Sequence, residues 1–276
     1  MAKPSKYLAR KPDELGFIAY TRSEHAVWRD LCAAQRPLLH GRACAEYLAG
    51  LDCLRLPRTR IPQCEEVSAR LELATGWRVQ PVAALISFDK FFELLSRRIF
   101  PAASFIRARE EFEYLQEPDV FHELFGHTPL LTQPLFAEYS QRIGETGRAA
   151  PPEYHVWLAR LYWMTIEFGL INTPTGLRAY GAGIISSPTE LTYALQSDVP
   201  ERRPFNALDA LRTPYRIDVL QPIYYVLNSF RQLAELSERN LLTLIDQARE
   251  LGLFSAPQTR DEENDPDSLR TYRPAL

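Results

Sequence analysis

His122 and His127 stand five residues apart in the segment FHELFGH. Two imidazoles this close can begin a metal site if one ion reaches both. In a regular helix, side chains four residues apart lie about 40° from one another around the axis, and side chains five apart lie about 140° apart. The pattern therefore departs from the zinc-protease HExxH, whose spacing of four suits one helical face. Gly126 offers a remedy, because a glycine there ends or distorts the helix and swings His127 back. A third donor is expected at Glu167, the only charged residue in the apolar run LYWMTIEFGLI. A carboxylate in such a run is costly to bury unless it is paired or coordinated. Two histidines and one carboxylate that leave part of an ion open suit the Fe(II) oxygenases. On these residues alone two other readings stay open. One is a zinc hydrolase with Glu123 as its base; the other is a non-catalytic role in which the histidines simply pack. His25, His40 and His155 form no comparable cluster.

The elements that must position these residues read as mainly helical, with a few short strands. Apolar spacing predicts helix over 24–50, a loop over 54–63 and a helix after Pro62. The stretch 77–85 lacks a helical period and reads as extended. Ser87 is placed to cap a helix over 87–100, although Lys90 leaves its capping box incomplete. Pro118 suits the first turn of a short helix ending at Gly126. Further helices are expected over 132–145, 153–170 and 219–251, the last stopped by Gly252. In RAYGAGIIS (178–186) the run reads as strand-like, and Gly181 and Gly183 imply a bend or a close backbone approach to a ligand. No linker divides the chain. The expectation is one catalytic domain over 1–276, with loosely ordered tails at 1–15 and 256–276.

The bulk composition excludes several classes. The 276 residues carry 46% hydrophobic and 24% charged side chains and a net charge of −3. That balance fits a globular protein with a sizeable core and gives no basic excess for nucleic acid. No apolar run is long enough to span a membrane, and the N-terminus lacks the apolar core of a signal peptide. Cys32, Cys44, Cys53 and Cys64 show no CxxC pair and read as reduced thiols, so the expected location is the cytoplasm.

The segments IPQCEEVSARLELATGWRVQPVAALIS, QEPDVFHELFGHTPLL, LYWMTIEFGL, AYGAGIISS and LQPIYYVLNSF, in this order, resemble the pterin-dependent aromatic amino acid hydroxylases, and the similarity runs from about residue 12 to 250. The short bacterial members that act on phenylalanine are the most similar type. The resemblance implies a fold, Fe(II) and a tetrahydropterin that together activate O2, and an aromatic amino acid as substrate. It also assigns roles. His122, His127 and Glu167 hold the iron. Tyr162 lies near iron and pterin, and Glu123 faces the pterin. Arg107 pairs with the substrate carboxylate, a task for which its planar fork suits it, and Asp119 holds Arg107. Trp163 and Phe168 line the ring pocket, with Ser186 and Glu190 near the substrate. Phe91 stacks on the pterin, whose edge is read by the backbone of Leu85 and Ile86. Ile217 occupies a position linked to substrate choice and argues against tyrosine, leaving phenylalanine first and tryptophan second. Leu115 departs from the threonine of the animal members. With neither a regulatory domain nor a heptad tail, a monomer is expected.

Overall fold

The protein is described here by a computed structural model covering residues 7, 9–14, 16–82, 86–112 and 117–255. Of the expectations above, Leu85, Leu115 and most of both tails lie outside the described residues. The described chain runs α1 (Arg22–Leu39), α2 (Ala45–Leu54), α3 (Cys64–Thr75), β1 (Arg78–Val82), α4 (Phe88–Ser96), β2 (Ile99–Ala103), α5 (Pro134–Ala149), α6 (Pro152–Tyr162), β3 (Leu170–Thr173) and β4 (Gly176–Ala179). It continues through α7 (Ala182–Ile185), α8 (Pro188–Gln196), β5 (Glu201–Pro204), α9 (Ala207–Arg212), β6 (Ile223–Leu227), α10 (Arg231–Glu238) and α11 (Leu241–Leu251). Among the described residues, no helix is long and apolar enough to cross a membrane.

The helix starts follow local chemistry. Thr21 caps α1 in a reciprocal box with Glu24, and at the start of α3 the Glu66 carboxylate accepts the Gln63 backbone N–H. Ser87, Ser187, Asn206 and Asn240 each accept a backbone N–H at the head of a helix. Four strands form a sheet in the order β4-β3-β6-β5, antiparallel at β3/β4 and parallel elsewhere. β1 and β2 form a separate parallel pair. α4 packs on α5, and α5 on α10, so the helices enclose an aromatic core that includes Trp28, Trp77, Tyr47 and Tyr139.

Several expectations shift. The helix expected over 24–50 is two helices, parted near Gly41, which adopts a left-handed φ of 69°. The helix expected over 87–100 stops at Ser96, and its last residues enter β2. The single helix expected over 219–251 is β6 followed by α10 and α11. IYYVL is buried at every position, so both faces are apolar and the alternation that marks a strand is erased. The strand-like 178–186 is the end of β4 followed by the short α7. Its glycines make close approaches to protein. A Cβ on Gly181 would lie 2.3 Å from the Glu167 carbonyl oxygen, and one on Gly183 would lie 2.6 Å from the Phe168 ring.

Candidate metal centre and substrate pocket

The spacing of five that disfavours a regular helix is accommodated by a π-turn, not by a helix end. His122–His127 closes with i→i+5 periodicity, so residues five apart lie on one face. The helix begins at Val120, just after Pro118, with Asp119 receiving the His122 N–H at 3.1 Å. It runs through Gly126 instead of ending there. Gly126 instead lets the turn press on α7, because a Cβ there would sit 3.1 Å from the Ala182 carbonyl oxygen. Glu167 occupies a second π-turn, Trp163–Glu167, which closes with Phe168 N–H donating to Trp163 O at 3.0 Å.

These two turns bring three donors together. His122 Nε2 and His127 Nε2 are 3.0 Å apart. Glu167 lies 3.0 Å from His127 Nε2 through Oε1 and 3.5 Å from His122 Nε2 through Oε2. Two donors each ~2.1 Å from one ion and at right angles to one another are about 3.0 Å apart. The triangle therefore has the dimensions of three ligands on one face of a single ion. The His122 and Glu167 side chains retain 15% and 11% exposure against 3% for His127, so the triangle is reached from their side.

The surroundings prepare the donors. Ser186 Oγ donates to Ala182 O at 2.8 Å, which spends its only proton. Its 2.9 Å contact with His122 Nδ1 is then N–H to oxygen, and this leaves the Nε2 lone pair free for a metal. Burial pushes His122 down to about 4, so the ring is neutral at pH 7. Burial would raise Glu167, but the His127 and His122 rings outweigh it and hold the carboxylate below its usual range. Phe100 backs His127 at 4.8 Å between ring centroids. Ser186 thus holds the His122 ring with its Nε2 toward His127 and Glu167. We expect Ser186→Ala to weaken iron binding about 10- to 100-fold. Competition with a chelator checks this, and unchanged affinity would contradict it.

Glu123 is also close. One of its oxygens and the two histidine nitrogens fall within 4.8 Å of one another. Burial and then the Glu167 charge push its carboxyl well above the usual range. A protonated carboxyl is a poor ligand but a ready hydrogen-bond donor. Tyr162 is buried, its ring 6.2 Å from His127 and 5.2 Å from Phe91, and Ile86 is half-buried just before α4.

Arg107 and Asp119 form a buried, two-pronged pair, Nε to Oδ2 at 2.8 Å and a terminal nitrogen to Oδ1 at 3.0 Å. Asp119 Oδ2 also accepts the Arg107 backbone N–H at 3.0 Å. The other terminal nitrogen donates to Phe112 O at 3.3 Å. Among the described residues this leaves one N–H on each terminal nitrogen, the fork that fits a carboxylate.

Trp163 stacks on Tyr215 at 4.4 Å and meets Phe168 at 4.6 Å. Ile217 is half-buried in the same 215–221 segment. Glu190, expected near the substrate, is engaged by protein: its Oε1 accepts the Gln221 N–H at 3.1 Å and the Tyr224 hydroxyl. Phe100, Tyr215, Gln221 and Tyr224 carry no sequence signal that set them apart, because aromatic and amide side chains reveal their partners only once the chain is folded.

Burial pushes Glu190 up to about 7, against the hydrogen bonds from Tyr224 and Gln221 that favour its charge. Its folded value lies above its unfolded one, so the folded state holds the extra proton between the usual 4.5 and about 7. This contribution is complete below that window and is lost as pH rises through it. Glu190→Gln keeps the acceptor oxygen and removes the titration. Its stability relative to the parent should be higher at pH 8 than at pH 5, by on the order of 3 kcal/mol or less. Equal shifts at the two pH values in thermal denaturation would contradict it.

The fold and site define the class. The chain belongs to the biopterin-dependent aromatic amino acid hydroxylases, whose sequence pattern matches residues 4–250. Among individual relatives, it is 53% identical over 253 residues to the phenylalanine-4-hydroxylase of Pseudomonas aeruginosa, covering 92% of this chain and 96% of that protein. The apo structure of the cold-active phenylalanine hydroxylase of Colwellia psychrerythraea superposes with a TM-score of 0.89 at 51% identity, over 91% of this chain and 97% of that one. The Chromobacterium violaceum phenylalanine hydroxylase with bound oxidized Fe(III) gives a TM-score of 0.85 at 42% identity, over 91% and 92%.

Proposed function

We propose that this chain is a monooxygenase that hydroxylates the ring of L-phenylalanine to give L-tyrosine, with Fe(II) at His122, His127 and Glu167 and a tetrahydropterin as co-substrate. The donor triangle carries the reading: its edges of 3.0, 3.0 and 3.5 Å suit three ligands on one face of an ion and leave the remaining positions to small molecules. Iron and a tetrahydropterin, when bound, would supply the activation of O2 that ring hydroxylation needs.

The chain's own residues do the placing. Ser186 keeps His122 in the tautomer that presents Nε2 to the metal. Arg107 clamps the substrate carboxylate with its two remaining N–H groups, and Asp119 fixes that fork. Asp119 also receives the His122 backbone N–H, so clamp and metal turn share one anchor. Trp163 and Phe168 wall the ring, and Ile217 offers no charge to a phenolic hydroxyl, which favours phenylalanine over tyrosine. Phe91 provides an aromatic platform for the pterin beside Tyr162. Ile86 lies along the pterin edge. Glu123, whose carboxyl is pushed well above its usual range by burial, offers a hydrogen bond to a pterin nitrogen or carbonyl. Glu190 supports this wall from behind. The catalytic domain works as a monomer in the cytoplasm.

A competition assay tests the substrate choice. Phenylalanine, tryptophan and tyrosine are offered separately with Fe(II), tetrahydropterin and O2. The highest kcat/KM is expected for phenylalanine. Preferential turnover of tryptophan would overturn the substrate assignment, and turnover of none of them would overturn the reading itself.

A further inference from the structure

Gln221 is 2% exposed, and its carboxamide is satisfied in three directions. Oε1 accepts the Trp163 indole N–H at 2.9 Å. Nε2 donates to the carbonyl oxygens of Arg216 at 2.8 Å and Val219 at 3.1 Å. Those carbonyls flank Ile217 and Asp218, so one side chain closes the loop onto itself and ties it to the indole. The Gln221 backbone is fixed as well, through its N–H to Glu190. Tyr215, at the start of the same loop, lies almost parallel to the indole, with 18° between the planes. The indole is therefore held at its edge by Gln221 and over its face by Tyr215, both belonging to one short segment.

An indole N–H pointing into a buried wall has few other partners. Without the Gln221 oxygen, the ring must tilt to recover a hydrogen bond or remain unpaired. Trp163 also opens the π-turn that ends at Glu167, so its tilt is set within one turn of a metal-facing carboxylate.

We infer that Gln221 is a positioning residue for substrate recognition: it locks the Trp163 indole to the loop that carries Ile217, so that ring selectivity belongs to the pair Trp163–Gln221 and not to either residue alone. The inference rests on the proposed hydroxylase reading and deepens it. Gln221 touches no substrate in this account; it acts through Trp163.

The test is a double-substitution cycle on the iron-loaded full-length enzyme. Gln221→Met removes the carboxamide at similar volume, and Trp163→Phe removes the indole N–H. Each variant and the combination are assayed on phenylalanine and tryptophan, and phenylalanine Kd is measured by calorimetry. Gln221→Met is expected to raise the phenylalanine KM and Kd by about tenfold and to shift the phenylalanine-to-tryptophan selectivity by a similar factor, with kcat changed less than about threefold. In the Trp163→Phe background the same substitution should shift selectivity by less than about twofold. Equal selectivity shifts in the two backgrounds would overturn the inference, as would a fall in kcat alone.

Should Gln221→Met fail to fold, Gln221→Asn goes through the same cycle, because its carboxamide is one methylene too short to reach the indole. The parent enzyme separates the two levels of failure. If it makes no tyrosine from phenylalanine, the hydroxylase reading fails. If it turns over normally but the cycle shows no coupling, only the role of Gln221 fails.

Discussion

Glu167→Gln is expected to fold normally, lose iron and lose tyrosine formation. The amide keeps the shape of the side chain and removes the charge that balances a divalent ion between His122 and His127. Loss of a supporting contact around a metal site already costs 10- to 100-fold in affinity, so loss of a direct donor should cost more than about a hundredfold. Folding should survive, because Glu167 is a buried carboxylate whose partners in the metal-free protein are the two imidazoles. Metal analysis after gel filtration, together with circular dichroism, checks both halves. Glu123→Gln is the contrast. Burial and the Glu167 charge push the Glu123 carboxyl well above its usual range, so a neutral amide of the same shape is the milder change there. That variant should keep its iron and raise the KM for the tetrahydropterin. Reversal of the two phenotypes would mean that Glu123 is the ligand.

Asp119→Asn should be the most destabilising of these changes. Asp119 is fully buried and serves Arg107 twice through its side chain, the Arg107 backbone once and the His122 backbone once. The amide retains an acceptor for the His122 N–H but leaves the Arg107 guanidinium buried without its counter-charge. Breaking a buried pair in this way costs about 3–5 kcal/mol. For a chain of this size each kcal/mol moves the melting temperature by roughly 2–4 °C, so a fall of about 6–20 °C is expected. The phenylalanine KM should rise in parallel, because the fork loses its orientation. The acid limb should change too. Burial would raise the Asp119 carboxyl, but Arg107 outweighs it and holds it below the usual 3.8. Its folded value is depressed, so its contribution is present above that pH and is lost only as pH falls below it. The parent should therefore lose this contribution at low pH, and Asp119→Asn should show a shallower acid transition. Calorimetry from pH 7 down to pH 3 measures it; an unchanged melting temperature at pH 7 would contradict the account.

The chemistry of the site was legible in the sequence further than its geometry. Residue types at 122, 127 and 167 suggest a metal site, and the structure brings these three side chains together, the lone carboxylate of the apolar run included. The spacing of five showed that a regular helix fails, but not how the chain solves the problem. A π-turn leaves no compositional signature, because its extra residue per turn comes from packing and not from a breaker. Gly126 therefore looked like a helix stop and is a contact residue against α7. The glycines of AYGAGIISS mark points of close approach, and in the fold they meet the backbone of Glu167 and the ring of Phe168. β6 was hidden for a different reason. A strand buried on both faces has no alternation, and IYYVL merges with the helical periodicity that follows it. Glu190 and Ser186 were located near the site by resemblance. Only the fold shows that Ser186 orients His122 and that Glu190 braces Gln221. Gln221 itself lay in a quoted motif, yet a single amide beside a proline gives no hint of the indole it meets.

The most direct measurement is tyrosine formed from phenylalanine as iron is titrated into the metal-free enzyme with tetrahydropterin and O2 in excess. The account predicts tyrosine formation that rises with Fe(II), levels off at one iron per chain and vanishes when the pterin is left out. Tyrosine formation without pterin, a plateau unrelated to iron, or no tyrosine at saturating iron would contradict it.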